Sequence, residues 1–224
     1  MNSTLYLRYA LLIIAGLSFQ LQGMELWKNT RRNIMRALWP THTEVFANDT
    51  QQVILNTDEK VTKTIKTSGL IGCTATVTYA RDINQNQMIV FTHYAPSHHQ
   101  EHMQNLKYQL QTITQRTKID HATSIFILPH SDDKKSHFLN YHDYDTHSVH
   151  CQDKLCNNPG CTLKNIIKDE LHDHSIQIQH VDYQLAPLGK AYFDTDVMVT
   201  LSHEVPSYCK ISELCLINKT LKFE

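Results

Sequence analysis

The chain has 224 residues, 41% of them hydrophobic, and 21 Lys and Arg against 22 Asp and Glu give a formal net charge of −1. That length and apolar content fit one globular domain with a short extension, with enough core that disulfides are not obligatory. The near-neutral balance leaves no basic footprint for DNA or RNA, so nucleic acid is not an expected partner.

In chain order the first element is a targeting segment. Arg8 precedes an apolar run over residues 9–19, of signal-peptide length and too short for a comfortable membrane span. Residues 1–23 read as a secretory signal cleaved after Gly23, although Leu21 at the minus-three position departs from a small-residue site. An uncleaved anchor and translation from Met24 are the alternatives. Residues 24–52 read as an N-terminal helical extension, with Leu26, Trp27, Ile34, Met35, Leu38 and Trp39 placed among basic residues ahead of Pro40. Lys28, Arg31, Arg32 and Arg36 form either a solvated face or a membrane-surface face, and membrane contact is expected only through this N-terminal segment.

The main domain is expected over residues 53–224. Residues 53–55 and 61–67 read as strands, and Thr67-Ser68-Gly69 as the turn that follows. Leu70-Ile71-Gly72-Cys73 then leads into two runs, 74–80 and 88–94, that are β-branched, small or aromatic. The polar, Asn-containing stretch 81–87 suits a hairpin loop. If Ala80 pairs with Met88, Ala75 faces His93, and Cys73 becomes a diagonal neighbour of His93 on the same face, roughly 7–8 Å away at the backbone. A one-residue slip would move His93 to the other face. A neighbouring imidazole would hold a thiol of ordinary pKa about 8.5 as thiolate and later protonate a leaving group. Gly72 lets the chain turn sharply before the cysteine. On geometry alone the competing reading is a buried structural cysteine beside a satisfied histidine.

Leu70-Ile71-Gly72-Cys73 resembles the Leu-x-Gly-Cys motif of the cytotoxic necrotizing factor type of glutamine deamidase toxins, and the cysteine segment of the bacterial chemoreceptor glutamine deamidases. In both groups a Thr six residues before the nucleophile and a His on the next strand complete the site. Here these positions hold Thr67 and His93, and the Cys73-to-His93 gap is a few residues longer than the family pattern. The resemblance spans residues 61–129. It implies catalytic roles for Cys73 as nucleophile, His93 as acid and base, and Thr67 as orienter of the imidazole, acting on the side-chain carboxamide of a protein glutamine. No cofactor is implied. With an amine in place of water the same site would act as a transglutaminase.

Past His93, Ser97 and Gln100 form a capping-box pattern for a helix running to about residue 115, with Met103, Leu106, Leu110 and Ile113 facing the sheet. His98 and His102 are four apart but lack a His-Glu-x-x-His pattern, so solvated or substrate-facing histidines are expected there rather than a metal site. Residues 124–128 read as a buried strand closed by Pro129. Residues 130–161 form a His- and Cys-rich insertion; disulfide bracing is favoured over zinc because the spacing is not Cys-x-x-Cys. With Cys73 kept free, Cys151, Cys156, Cys161, Cys209 and Cys215 would form two bridges and leave one thiol. A helix starting at Thr162 and strands over 175–185, 197–201 and 214–217 complete the pattern, with Asp194 and Asp196 in a charged turn.

The expected fold is α+β, a layered mixed β-sheet or β-sandwich flanked by helices. The expected function is that of a secreted protein-glutamine deamidase, a toxin or effector whose partner is a glutamine-containing host protein. The alternative is a non-enzymatic secreted binding module braced by disulfides or zinc.

Overall fold

A computed structural model of the chain describes residue 30 and residues 41–70, 72–130, 159–172, 176–184, 195–213 and 218–223. The chain divides into two units, residues 1–40 and residues 41–224. Of the first, only the helical Thr30 is described. The expected signal and most of the amphipathic segment therefore lie outside the described residues, as do residues 131–158 of the His- and Cys-rich insertion and the strand expected at 214–217.

The second unit is an α+β sandwich of two mixed sheets. One sheet has the order β1 (His42–Glu44), β3 (Lys63–Thr67), β8 (Thr195–Leu201), β9 (Tyr208–Glu213) and β10 (Asn218–Lys222). The other has the order β2 (Asp49–Leu55), β5 (Gln87–Tyr94), β4 (Thr74–Asp82), β6 (Ile119–His130) and β7 (Gln177–Gln184). Helices α1 (His99–Thr114) and α2 (Pro159–Glu170) cover the outer face of the second sheet. The domain starts earlier than the expected residue 53, because β1 and the first half of β2 are built from residues 42–52. Their mixed polar composition hid them: His42, Thr43, Asp49, Gln51 and Gln52 carry no apolar alternation.

Period-two alternation sorts the side chains into two cores. Ala75, Val77 and Tyr79 of β4, Ile89 and Phe91 of β5, and Ile125 and Ile127 of β6 point inward to meet Ile65, Val197, Val199, Cys209 and Ile211 of the facing sheet. The opposite faces of the same strands supply Ala80, Met88, Val90, Ala122 and Phe126, which pack under Leu106, Leu110, Ile113, Leu163 and Ile167 of the helices. Central strands buried on both faces explain why runs 74–80 and 88–94 look apolar or small without clean alternation. The hydroxyls that face the helices satisfy one another, with Thr76 Oγ1 2.7 Å from Thr92 Oγ1 and Thr78 Oγ1 3.1 Å from Ser124 Oγ.

The hairpin has the expected register, with Ala80 level with Met88 and Ala75 level with His93. Its loop is short, Ile83 to Asn86, and is tied by Asp82, whose carboxylate accepts from the Asn84 and Asn86 amides and from Thr117 Oγ1. Most of the residues between Cys73 and His93 therefore lie in the two strands rather than in the loop. Two helix expectations need correction. A 3₁₀ turn, Pro96–His98, precedes α1, whose N-cap is His98 with no side-chain cap bond, so Ser97 and Gln100 form no capping box. Helix α2 begins at Pro159 rather than at Thr162, in keeping with the preference for proline in a first turn.

Candidate active site

Residues Ser68 to Cys73 carry the chain from one sheet to the other. Gly69 and Gly72 have φ of +72° and +75°, a region where a side chain would be strained. Leu70 between them is fully buried, and its amide donates to the Thr195 carbonyl at 3.2 Å, which anchors the turn to the start of β8. Thr67 thus ends one sheet while Cys73 enters the other, and the six-residue spacing spans the sandwich.

His93 closes this arrangement from β5. Its Nδ1 lies 2.7 Å from Thr67 Oγ1, a bond between the two sheets, and the Thr67 hydroxyl donates onward to the Val45 carbonyl at 2.7 Å. Because the single hydroxyl proton goes to Val45, Thr67 Oγ1 accepts from His93, which assigns the proton to Nδ1 and leaves a lone pair on Nε2. Nε2 is buried and has no hydrogen-bond partner among the described residues. Burial lowers the His93 pKa from 6.5 to about 4, so the ring is a neutral base at physiological pH.

Cys73 is half-buried with a free thiol, and it packs against the inner core. It sits two residues before Ala75, the residue level with His93, so thiol and imidazole share the inward face. They are not hydrogen-bonded, since Nε2 has no partner. Burial pushes the Cys73 thiol up, and the expected thiolate is replaced by a neutral thiol beside a neutral imidazole. Such a pair reacts by transferring the proton during attack, as a hydroxyl–imidazole pair does, rather than from a preformed ion pair.

The sequence reading missed several neighbours. Val45 carries the carbonyl that orders Thr67, and it reaches the site because β1 pairs in parallel with β3. Tyr183 Oη donates to the Cys73 carbonyl at 2.6 Å. Thr195 has a buried hydroxyl without a partner among the described residues and shares the inward face with Val197, two residues on. Alternation along 175–185 could have turned Tyr183 inward, but no local signal couples it to Cys73.

His102 is neither solvated nor substrate-facing. It is fully buried under α1, bonded through Nε2 to Thr92 Oγ1 at 2.8 Å and stacked on Tyr94 at 4.7 Å with an interplanar angle of 7°. His98 is exposed and pairs with Glu101 Oε2 at 3.2 Å. Among the described residues no disulfide forms, and the Cys209 thiol is free, buried and pushed up to about 12. Cys209 therefore takes no part in the expected bridges, while Cys151, Cys156 and Cys215 lie outside the described residues.

Thr67→Val is expected to separate orientation from packing. The substitution keeps the shape but leaves His93 Nδ1 and the Val45 carbonyl without their partner, at a cost of about 1–3 kcal/mol in stability. It also frees the tautomer, so the reactivity of Cys73 toward iodoacetamide should fall by roughly 10–100-fold while Thr67→Ser retains most of both. Thermal melts and alkylation rates measured together check this.

The site is thus a Thr–His pair that joins the two sheets of the sandwich, with a free cysteine on the same inward face. Comparison with protein-family models and with curated proteins finds no match for the chain.

Proposed function

We propose that the protein is a secreted deamidase of protein glutamine. The observation that carries this reading is the His93 imidazole, oriented by Thr67 across the two sheets, with Nε2 unpaired on the face that bears the free Cys73. In the proposed reaction Cys73 Sγ attacks the carboxamide carbon while Nε2 takes the thiol proton. Backbone N–H groups near Gly72 and Cys73 hold the oxyanion. The tetrahedral intermediate then collapses, the C–N bond breaks, and Nε2 returns the proton so that ammonia leaves. Water, deprotonated by Nε2, attacks the thioester; glutamate is released and the thiol is regenerated. The neutral Thr67 orients the ring without a carboxylate, which fits a histidine that stays uncharged until it accepts the Cys73 proton. The apolar run at residues 9–19 supports export, and a glutamine-containing host protein fits the toxin motif.

The test incubates the full chain with cell-lysate proteins and reads glutamine-to-glutamate conversion by mass spectrometry, beside the same protein blocked with iodoacetamide. Conversion confined to the unblocked protein is expected. Conversion equal in both samples, or Cys73 recovered in a disulfide from the secreted protein, would overturn the reading; cross-linked glutamine would identify transglutamination at the same site.

A further inference from the structure

The carbonyl of Cys73 is held by a side chain rather than by the neighbouring strand. Ala75 is level with Ile127 of β6, and two further steps of that register bring Cys73 level with Pro129. Proline has no N–H, so β6 has no ladder donor to offer at this level. Pro129 is in turn level with Tyr183 of β7, and the Tyr183 hydroxyl reaches back to donate to the Cys73 carbonyl at 2.6 Å. Two strand spacings, roughly 9–10 Å, separate the backbones of β4 and β7, a span that a serine or threonine hydroxyl cannot cross. The Tyr183 ring is 1% exposed and packs in the inner core with Val181 and Ile127. Packing alone would be served by phenylalanine, so the hydroxyl is the feature that needs a reason.

We infer that Tyr183 is a positioning residue for the Cys73 thiol, an inference that rests on the deamidase reading and adds a residue to its site. Gly72, at φ +75°, brings the chain into Cys73 through a conformation that glycine adopts without strain. The Tyr183 bond fixes the other side, by pinning the peptide that joins Cys73 to Thr74. The nitrogen end of the same peptide belongs to Thr74, paired with Tyr94 in the ladder, so its two ends together set the plane from which the Cys73 side chain enters the inward face. Without the Tyr183 bond the carbonyl end loosens, and the sulfur shifts relative to Nε2. A displacement of about 1 Å at a reacting centre lowers turnover by on the order of 100-fold.

The experiment compares the full-length wild type, Tyr183→Phe and Val181→Ala. The rate of Cys73 alkylation by iodoacetamide is followed from about pH 5 to about pH 10 by site-resolved mass spectrometry, alongside melting temperature and glutamine conversion. Tyr183→Phe, which removes the donor to the Cys73 carbonyl, is expected to melt somewhat below wild type, to slow Cys73 alkylation at neutral pH as the thiol–imidazole encounter loosens, and to lower kcat by roughly 10–100-fold at constant KM. Val181→Ala, which opens the same core two residues away, is expected to lower the melting temperature and leave the neutral-pH alkylation rate in place. A Tyr183→Phe protein with the wild-type alkylation rate overturns the inference, and so does a rate lowered equally by Val181→Ala. If the rate falls in Tyr183→Phe alone while the wild type converts no glutamine, the positioning role stands and the deamidase reading falls.

Discussion

Cys73→Ala and His93→Gln are each expected to lower glutamine conversion by roughly a thousandfold or more, and the double variant to be no worse than Cys73→Ala alone. Groups that act as one unit are not additive: once the nucleophile is gone, the base has no proton to move. His93→Gln is the more informative of the two, because it removes the base while leaving the nucleophile in place. It should lose the reactivity of Cys73 toward iodoacetamide at neutral pH. If Cys73 in the wild type alkylates no faster than an ordinary buried thiol, or if His93→Gln leaves its rate unchanged, the pair is structural and the domain is better regarded as a binding module.

Acid is expected to destabilise the fold well above the range in which carboxylates titrate. Burial lowers His93 to about 4 and His102 to about 3, while either histidine in the unfolded chain titrates near 6.5. Between those values the unfolded state binds more protons than the folded state, so stability rises with pH through the window. The contribution is fully present above about pH 6.5 and is lost as pH falls toward 4 and then 3. For His93 it amounts to roughly 3 kcal/mol, with a comparable amount from His102, large against the 5–15 kcal/mol total of a typical domain. Urea unfolding at pH 7 and at about pH 4.5 measures the loss, and the His93→Gln, His102→Gln double variant should flatten the slope. An unchanged slope in that variant would sink the assignment. Catalysis should follow the same histidine, with its acid limb near pH 4 rather than near 6.5, for as long as the protein remains folded.

Much of the site lies in short-range pattern. Thr67, Cys73 and His93 fall on strand, turn and hairpin within residues 67–93, where spacing and period two decide which side chains share a face. The resting charge state was not legible. A cysteine beside a histidine reads as a thiolate–imidazole pair, but His93 is 2% exposed, and desolvation keeps both groups neutral. The role of His102 escaped for the same reason. Its place in the first turns of α1 was plain, but the stack on Tyr94 and the bond to Thr92 depend on how α1 settles on the sheet.

By itself the sequence determined the α+β class, the hairpin register and the order Thr67, Cys73, His93, because propensity, alternation and turn glycines are local properties. Only the tertiary structure decided that β1 and β2, though consecutive, belong to different sheets. It also decided that Val45 orders Thr67 and that Tyr183 rather than Pro129 holds the Cys73 carbonyl. These are contacts between residues 22 and 110 positions apart in the chain. They are chosen by how two sheets close over a common core, a balance of burial and hydrogen bonding that no local window contains.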